Sequence, residues 1–196
     1  EFIKVNNYKG TYVEVDCQKV LGVEQAWKFR EYMKTNTNNR QINVFHIEDG
    51  QKGLDRLIEY SDYIALSIPE LRILKKKNYT YKLANYIKNK KPEIDIHLLG
   101  CTEKKMLSKL KFCTSSDSTS WMAPMRYGVF DINGKKKFKN LKQNKLINKY
   151  KKDIYSFSKY IPNWKPSDKG LLNYSTCIMN CQILKNEYSI AVGSQN

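Results

Sequence analysis

The sequence predicts an α/β fold. Three observations carry that expectation: short β-rich runs, amphipathic stretches of helical period between them, and strand starts spaced by roughly 20 to 30 residues, the rhythm of parallel strands joined by helical crossovers. The first run, Thr11 to Asp16, is followed by Val23 to Lys34, where Val23, Ala26, Trp27, Arg30, Tyr32 and Met33 recur at steps of three and four. The second, Ile42 to Ile47, precedes Gly53 to Tyr60 with Leu54, Leu57 and Ile58 on one side. The third, Asp62 to Ser67, precedes a helix from Tyr79 to Lys90, which Pro92 closes. After the fourth, Ile94 to Leu99, Thr102 is placed to cap a helix that buries Met106, Leu107 and Leu110. A fifth, short run lies near Phe112 to Ser116. This pattern suits an open doubly wound sheet and a (β/α) barrel equally, and no Gly-x-Gly-x-x-Gly follows any run to mark a dinucleotide site.

The chain has 196 residues, 35 Lys plus Arg against 19 Asp plus Glu, a net charge of +16 and 41% hydrophobic residues. That apolar content excludes wholesale disorder, and the length supports a core without disulfides or a structural metal. No apolar stretch approaches the roughly 20 residues that span a bilayer, so no membrane is expected. Without an export signal, and with five scattered cysteines (Cys17, Cys101, Cys113, Cys177, Cys181), the expectation is reduced thiols and a cytoplasmic location. From Gly134 onward Lys135, Lys136, Lys137, Lys139, Lys142, Lys145, Lys149, Lys151 and Lys152 interleave with Phe138, Leu141, Leu146, Ile147 and Tyr150. This reads as a basic amphipathic helix, a solvated face or a phosphate track for nucleic acid, in which Lys135, Lys136, Lys137 and Lys139 are the leading contacts. A turn around Ile161 to Pro166 and an apolar helix near Leu171 to Leu184 follow. The division expected is a barrel-like part over 1–133 and a basic helical extension over 134–196.

In parallel α/β folds function gathers where strands end. The polar residues there are Asp16, Glu48 and Asp49, Ser67 and Glu70, and Asp117 within Ser115-Ser116-Asp117-Ser118-Thr119-Ser120-Trp121. Each on its own serves equally well as a helix or turn cap; their recurrence over successive units points to a shared rim. The hydroxyls around Asp117 can keep its carboxylate ionised, and an ionised carboxylate is a competent nucleophile toward an anomeric carbon. Trp121 offers a flat face for a base or sugar, and Arg126 a charge for phosphate. His46 and His97 lie in apolar runs, where a satisfied core or rim histidine is the expected role, and no Ser-His-Asp site is expected.

The segment Ile96-His97-Leu98-Leu99-Gly100-Cys101-Thr102, followed about fifteen residues later by Ser116-Asp117-Ser118-Thr119-Ser120-Trp121-Met122-Ala123-Pro124-Met125-Arg126-Tyr127-Gly128, resembles the tRNA-guanine transglycosylase superfamily. Its Asp-Ser-Thr-Ser-Trp wording is similar to the DNA-directed branch, the deoxypurine-in-DNA protein A family of phages and bacterial modification clusters. The likeness extends over roughly residues 11 to 130: Val15-Asp16-Cys17 resembles the base-recognising segment, Phe45 to Gly50 stands where the tRNA enzymes carry a base-contacting Gln before Gly, and Tyr63 to Glu70 stands at their Gly-rich loop.

The resemblance implies a TIM-type barrel and a base exchange. Asp117 attacks C1′ of a target nucleotide, guanine leaves, and a 7-deazaguanine such as preQ0 takes its place. Asp16, Glu48, Ser67, Ser118, Ser120, Trp121 and Arg126 are then the substrate-binding candidates, with no cofactor. The implied partners are DNA or tRNA, DNA being favoured, and accessory DNA-modification proteins. The target nucleotide must be flipped or single-stranded. Two departures matter. The family's general base sits in an Asp-Ser-Gly-type motif that does not occur here, so the first half of an eight-stranded barrel, and that base, are expected outside these residues; the start at Glu1 fits a fragment. Only Cys177 and Cys181 follow the Asp, so the tRNA enzymes' zinc site is not expected. The alternatives are a tRNA-directed transglycosylase and a non-catalytic basic nucleic-acid-binding protein on a barrel scaffold.

Overall fold

The computed structural model describes residues 9–101 and 103–119, the backbone of strands at 129–132 and 136–139, and the single positions Ile3, Lys152, Ile178 and Cys181. Backbone contacts divide the chain into two units, Glu1–Cys101 with Phe112–Asp117, and Thr102–Lys111 with Ser118–Asn196.

The first unit is α/β. Its strands β1 (Tyr12–Val13), β2 (Gln41–Phe45), β3 (Tyr63–Ser67), β4 (Asp95–Leu99) and β5 (Ser115–Ser116) form one parallel sheet in the spatial order β1-β2-β3-β4-β5. A doubly wound sheet reverses its order at a switch point. This one does not, and it curls as a five-strand half-barrel. Helices α1 (Gln18–Leu21), α2 (Val23–Asn36), α3 (Gly50–Tyr60), α4 (Ile68–Ile73) and α5 (Tyr79–Lys90) fill the connections, with a 3₁₀ turn at Ile47–Asp49. Neighbouring helices touch in chain order. Trp27 of α2 meets the Tyr60 ring of α3 edge-on at 5.2 Å, and the Tyr86 hydroxyl of α5 donates to Asp55 of α3 at 2.6 Å. Such a single helical layer follows when every crossover has the same hand.

The middle strands read as nearly unbroken apolar runs because both their faces are covered: Ile64, Ala65, Leu66, Ile96 and Leu98 are almost wholly buried. At the β1 edge burial is lower and a polar device takes over. The Arg30 guanidinium on α2 grips Glu14 bidentately, Nε and a terminal nitrogen each at 2.7 Å. Glu14 also accepts from Asn43 Nδ2 at 2.8 Å and from the Val44 N–H at 2.7 Å. Its carboxylate thus extends the ladder where β1 stops, and Trp27 lies under the guanidinium at 4.6 Å. Replacing Arg30 by Met leaves a buried carboxylate without its counter-charge, so urea unfolding should report a loss of about 3–5 kcal/mol.

At the opposite, N-terminal ends of the strands, Asp95 accepts from Thr114 at 2.5 Å and pairs with Arg40, which also donates to the Asp62 carbonyl at 3.1 Å. Burial pulls the Asp95 pKa upward, but the hydrogen bonds from Thr114 and Arg40 outweigh it and hold the carboxyl below its ordinary 3.8. A depressed carboxylate contributes stability that is present above its unfolded pKa and lost as pH falls through the folded one. Asp95→Asn should therefore flatten the acid limb of stability against pH, read by thermal melts through the range below the ordinary carboxylate pKa.

In the second unit, α6 (Lys104–Lys109) is preceded by Glu103 at its N-cap position; Thr102, expected there, lies outside the described residues. Strands β6 (Val129–Ile132) and β7 (Lys136–Lys139) pair antiparallel, Ile132 opposite Lys136. This corrects the basic helix expected from Gly134: Lys136, Lys137 and Lys139 stand on a β-strand. A lysine-rich run carries little burial period, so its spacing imitates a helix as readily as it fits a strand. The remainder of the expected basic helix, the Pro-Asn turn with Trp164 and the last apolar helix lie outside the described residues, save for single positions. No described helix is long and apolar enough to cross a membrane.

Candidate functional site

Because the strands are parallel, all five C-terminal ends open on one rim, and the polar residues singled out in the sequence lie there in two groups. The first follows β4 and β5. The strand register sets Val44, Ala65, His97 and Ser115 in one row across the sheet, so His97 and Ser115 share a face. Ser115 Oγ is 2.6 Å from His97 Nδ1 and 2.5 Å from the Tyr63 hydroxyl. His97 Nε2 is 3.2 Å from Asp117 Oδ1, and the Gly100 N–H donates to that same oxygen at 2.8 Å.

An ionised carboxylate only accepts, so in the neutral ring Nε2 carries the proton and Nδ1 accepts from Ser115, whose oxygen accepts in turn from Tyr63. This relay aims one ring at one carboxylate oxygen. Asp117 is 53% exposed while His97 is 8% exposed, so the carboxylate projects from a buried support. Among the described residues every side-chain contact of Asp117 falls on Oδ1.

Gly100 is the hinge of this arrangement. It ends β4 at φ +68, and a Cβ there would lie 2.6 and 2.8 Å from the Pro69 ring. Only glycine satisfies both the left-handed backbone and the close approach. Gly100→Ala should cost roughly 1–3 kcal/mol in chemical denaturation and displace the N–H that holds Asp117.

The second group follows β1, β2 and β3. His46, 3% exposed, stands between two carboxylates: Nε2 is 3.4 Å from Asp16 Oδ1, and Nδ1 is 3.6 Å from Glu70 Oε2. Glu70 is set by its own strand end. Ser67 Oγ caps α4 by accepting the Glu70 N–H at 3.4 Å, and Pro69 occupies the first turn. The other Glu70 oxygen holds Lys19 at 3.4 Å. The carboxylates of Glu70 and, next, Glu48 hold the Lys19 ammonium above its ordinary pKa. Gln18 donates to Asp49 at 2.7 Å, tying the 3₁₀ turn to α1. His46, Glu48 and Glu70 each offer one ligand atom, all within 4.8 Å of one another.

Of the residues expected at the site, Asp16, Glu48, Ser67 and Asp117 all stand at strand C-termini, but Ser67 is engaged as a helix cap. Ser118 falls in the second unit. Ser120, Trp121, Arg126 and Lys135 lie outside the described residues, as do the side chains of Lys136, Lys137 and Lys139. Both histidines are buried at the rim, and each faces a carboxylate that the sequence marked out. Hydrophobic period assigns a face to such a residue and says nothing of its partner. A comparison with family models, curated proteins and solved structures returns no match.

Proposed function

We propose that the protein is a transglycosylase that exchanges a nucleic-acid base, guanine in DNA foremost, for a 7-deazaguanine such as preQ0, with Asp117 as the nucleophile. The observation that carries this reading is the Asp117 carboxylate: half-exposed at the C-terminal rim of a parallel half-barrel, with Oδ1 held by the Gly100 N–H and His97 Nε2. Two donors on one oxygen fix the orientation of the group.

In the reaction, Oδ2 attacks C1′ of an extruded nucleotide, the bond to guanine breaks with its electron pair going to the base, and a glycosyl ester is left on Asp117. Attack by the ring nitrogen of the incoming deazaguanine on C1′ then returns the carboxylate, and the proton that nitrogen gives up to solvent balances the one the departing guanine takes from it. The exchange breaks one glycosidic bond and forms another, so no external energy source is required. His97, backed by Ser115 and Tyr63, is a positioning residue. It keeps Oδ1 occupied and so presents Oδ2. In this reading Asp16, 59% exposed beside His46, accepts from the Watson–Crick edge of the base. The resemblance of residues 96–128 to the transglycosylases supports the assignment, and the +16 charge suits a polyanionic substrate whose affinity falls with salt.

Incorporation of labelled preQ0 or guanine into DNA tests it. Asp117→Asn should lower exchange by about a thousandfold or more while salt-sensitive DNA binding stays intact. His97→Gln should lower kcat by about tenfold or more with binding unchanged. Undiminished exchange in Asp117→Asn, or wild-type protein that binds DNA without exchanging a base, points instead to a non-catalytic binder.

A further inference from the structure

We infer that His46, Glu48 and Glu70 form a binding site for one divalent first-row transition-metal ion at the β2–β3 rim. The inference is independent of the glycosyl transfer assigned to Asp117, and it gives Glu48 a ligand role in place of a base contact.

The His46 ring is 3% exposed, and Nδ1 is buried without a hydrogen-bond partner among the described residues. Asp16 Oδ1 faces Nε2 at 3.4 Å and Glu70 Oε2 faces Nδ1 at 3.6 Å, and both carboxylates only accept, so a neutral ring with one proton serves one of them and leaves the other nitrogen's lone pair against a carboxylate. Lone pair against carboxylate is repulsive, and a buried polar atom left unpaired costs free energy. A cation between them relieves both. On its other side the ring faces Asp16, and metal-bound histidines characteristically turn the nitrogen that does not ligate toward a carboxylate, which fixes the tautomer and raises ligand basicity.

The donor geometry fits an ion of this class. At ligand distances of about 2.0–2.2 Å, neighbouring donors in a metal shell lie roughly 3–3.5 Å apart. The His46–Glu70 pair, at 3.6 Å, is already close to that separation, and the whole set spans no more than 4.8 Å. Two ligands are held in advance, His46 by burial and Asp16, Glu70 by the cap of α4. Glu48 is exposed on the 3₁₀ turn and closes the last ångström by side-chain rotation. One imidazole nitrogen with two carboxylates suits Zn²⁺, Mn²⁺, Fe²⁺ or Co²⁺ better than the all-oxygen shells of Ca²⁺ and Mg²⁺. Three protein ligands leave coordination positions open. Lys19, on the other Glu70 oxygen and 59% exposed, balances part of the charge from outside the ligand set.

The chain has only two histidines, which makes the test simple. Full chain stripped with EDTA is titrated with Zn²⁺ while the imidazole nitrogens are followed by ¹⁵N NMR, and binding of Zn²⁺ and Mn²⁺ is measured by equilibrium dialysis. One ion should bind per chain, with the Nδ1 signal of a single imidazole moving to a metal-bound position and disappearing in His46→Gln. Glu48→Gln, an exposed change that leaves the fold intact by circular dichroism, and Glu70→Gln should each weaken binding by about tenfold or more. Three results would overturn the assignment: no saturable binding of either ion, binding unchanged in both glutamine variants, or Zn²⁺ held without any response of the imidazole.

Discussion

The rim depends on one constraint, the parallel alignment of five strands in unbroken spatial order. Order without reversal sends each connection back along the same side, so the helices form one layer and every strand delivers its C-terminal loop to the same edge. Loops far apart in sequence then share one edge of the sheet. The packing of Pro69 against Gly100 joins the loops after β3 and β4 at the point where the two functional groups meet. The glycine therefore does three things at once: it turns the chain with a positive φ, admits the proline ring, and turns its N–H toward Asp117.

Both groups use the same element, a buried histidine with a carboxylate at Nε2, but complete it differently. At His97, Nδ1 is satisfied by Ser115, and the result is a closed relay that steadies a half-exposed carboxylate. At His46, Nδ1 meets a second carboxylate instead, and the circuit lacks a positive partner. This local acidity stands against a chain that is strongly basic overall.

Much of this was legible in the sequence because burial on both faces writes itself plainly. Ile42 to Phe45, Tyr63 to Leu66 and Ile96 to Leu99 can hardly be anything but interior strands, and the intervening amphipathic stretches could be placed to within a few residues. What escaped notice had physical reasons. Helices α1 and α4 are too short to show a period, and Ser67 reads equally as ligand or cap until the Glu70 N–H is seen to take it. The β6–β7 hairpin was hidden by lysines, which carry no pattern of burial. Winding order also lay beyond periodicity, since alternating strands and helices fit open and closed sheets alike. The roles of His46 and His97 needed coordinates, because partner identity comes from register between strands and not from spacing along one.

The central claim is chemical: a sugar rests covalently on Asp117 between departure of one base and arrival of the next. Trapping tests that most directly. The protein is mixed with a guanine-containing single-stranded oligonucleotide, denatured without added deazaguanine, and its adducts are mapped by mass spectrometry. An oligonucleotide-bearing species whose modified peptide contains Asp117, and which is discharged when preQ0 is added before denaturation, is the expected result. Base exchange proceeding with no such adduct, or an adduct mapped to another residue, contradicts it.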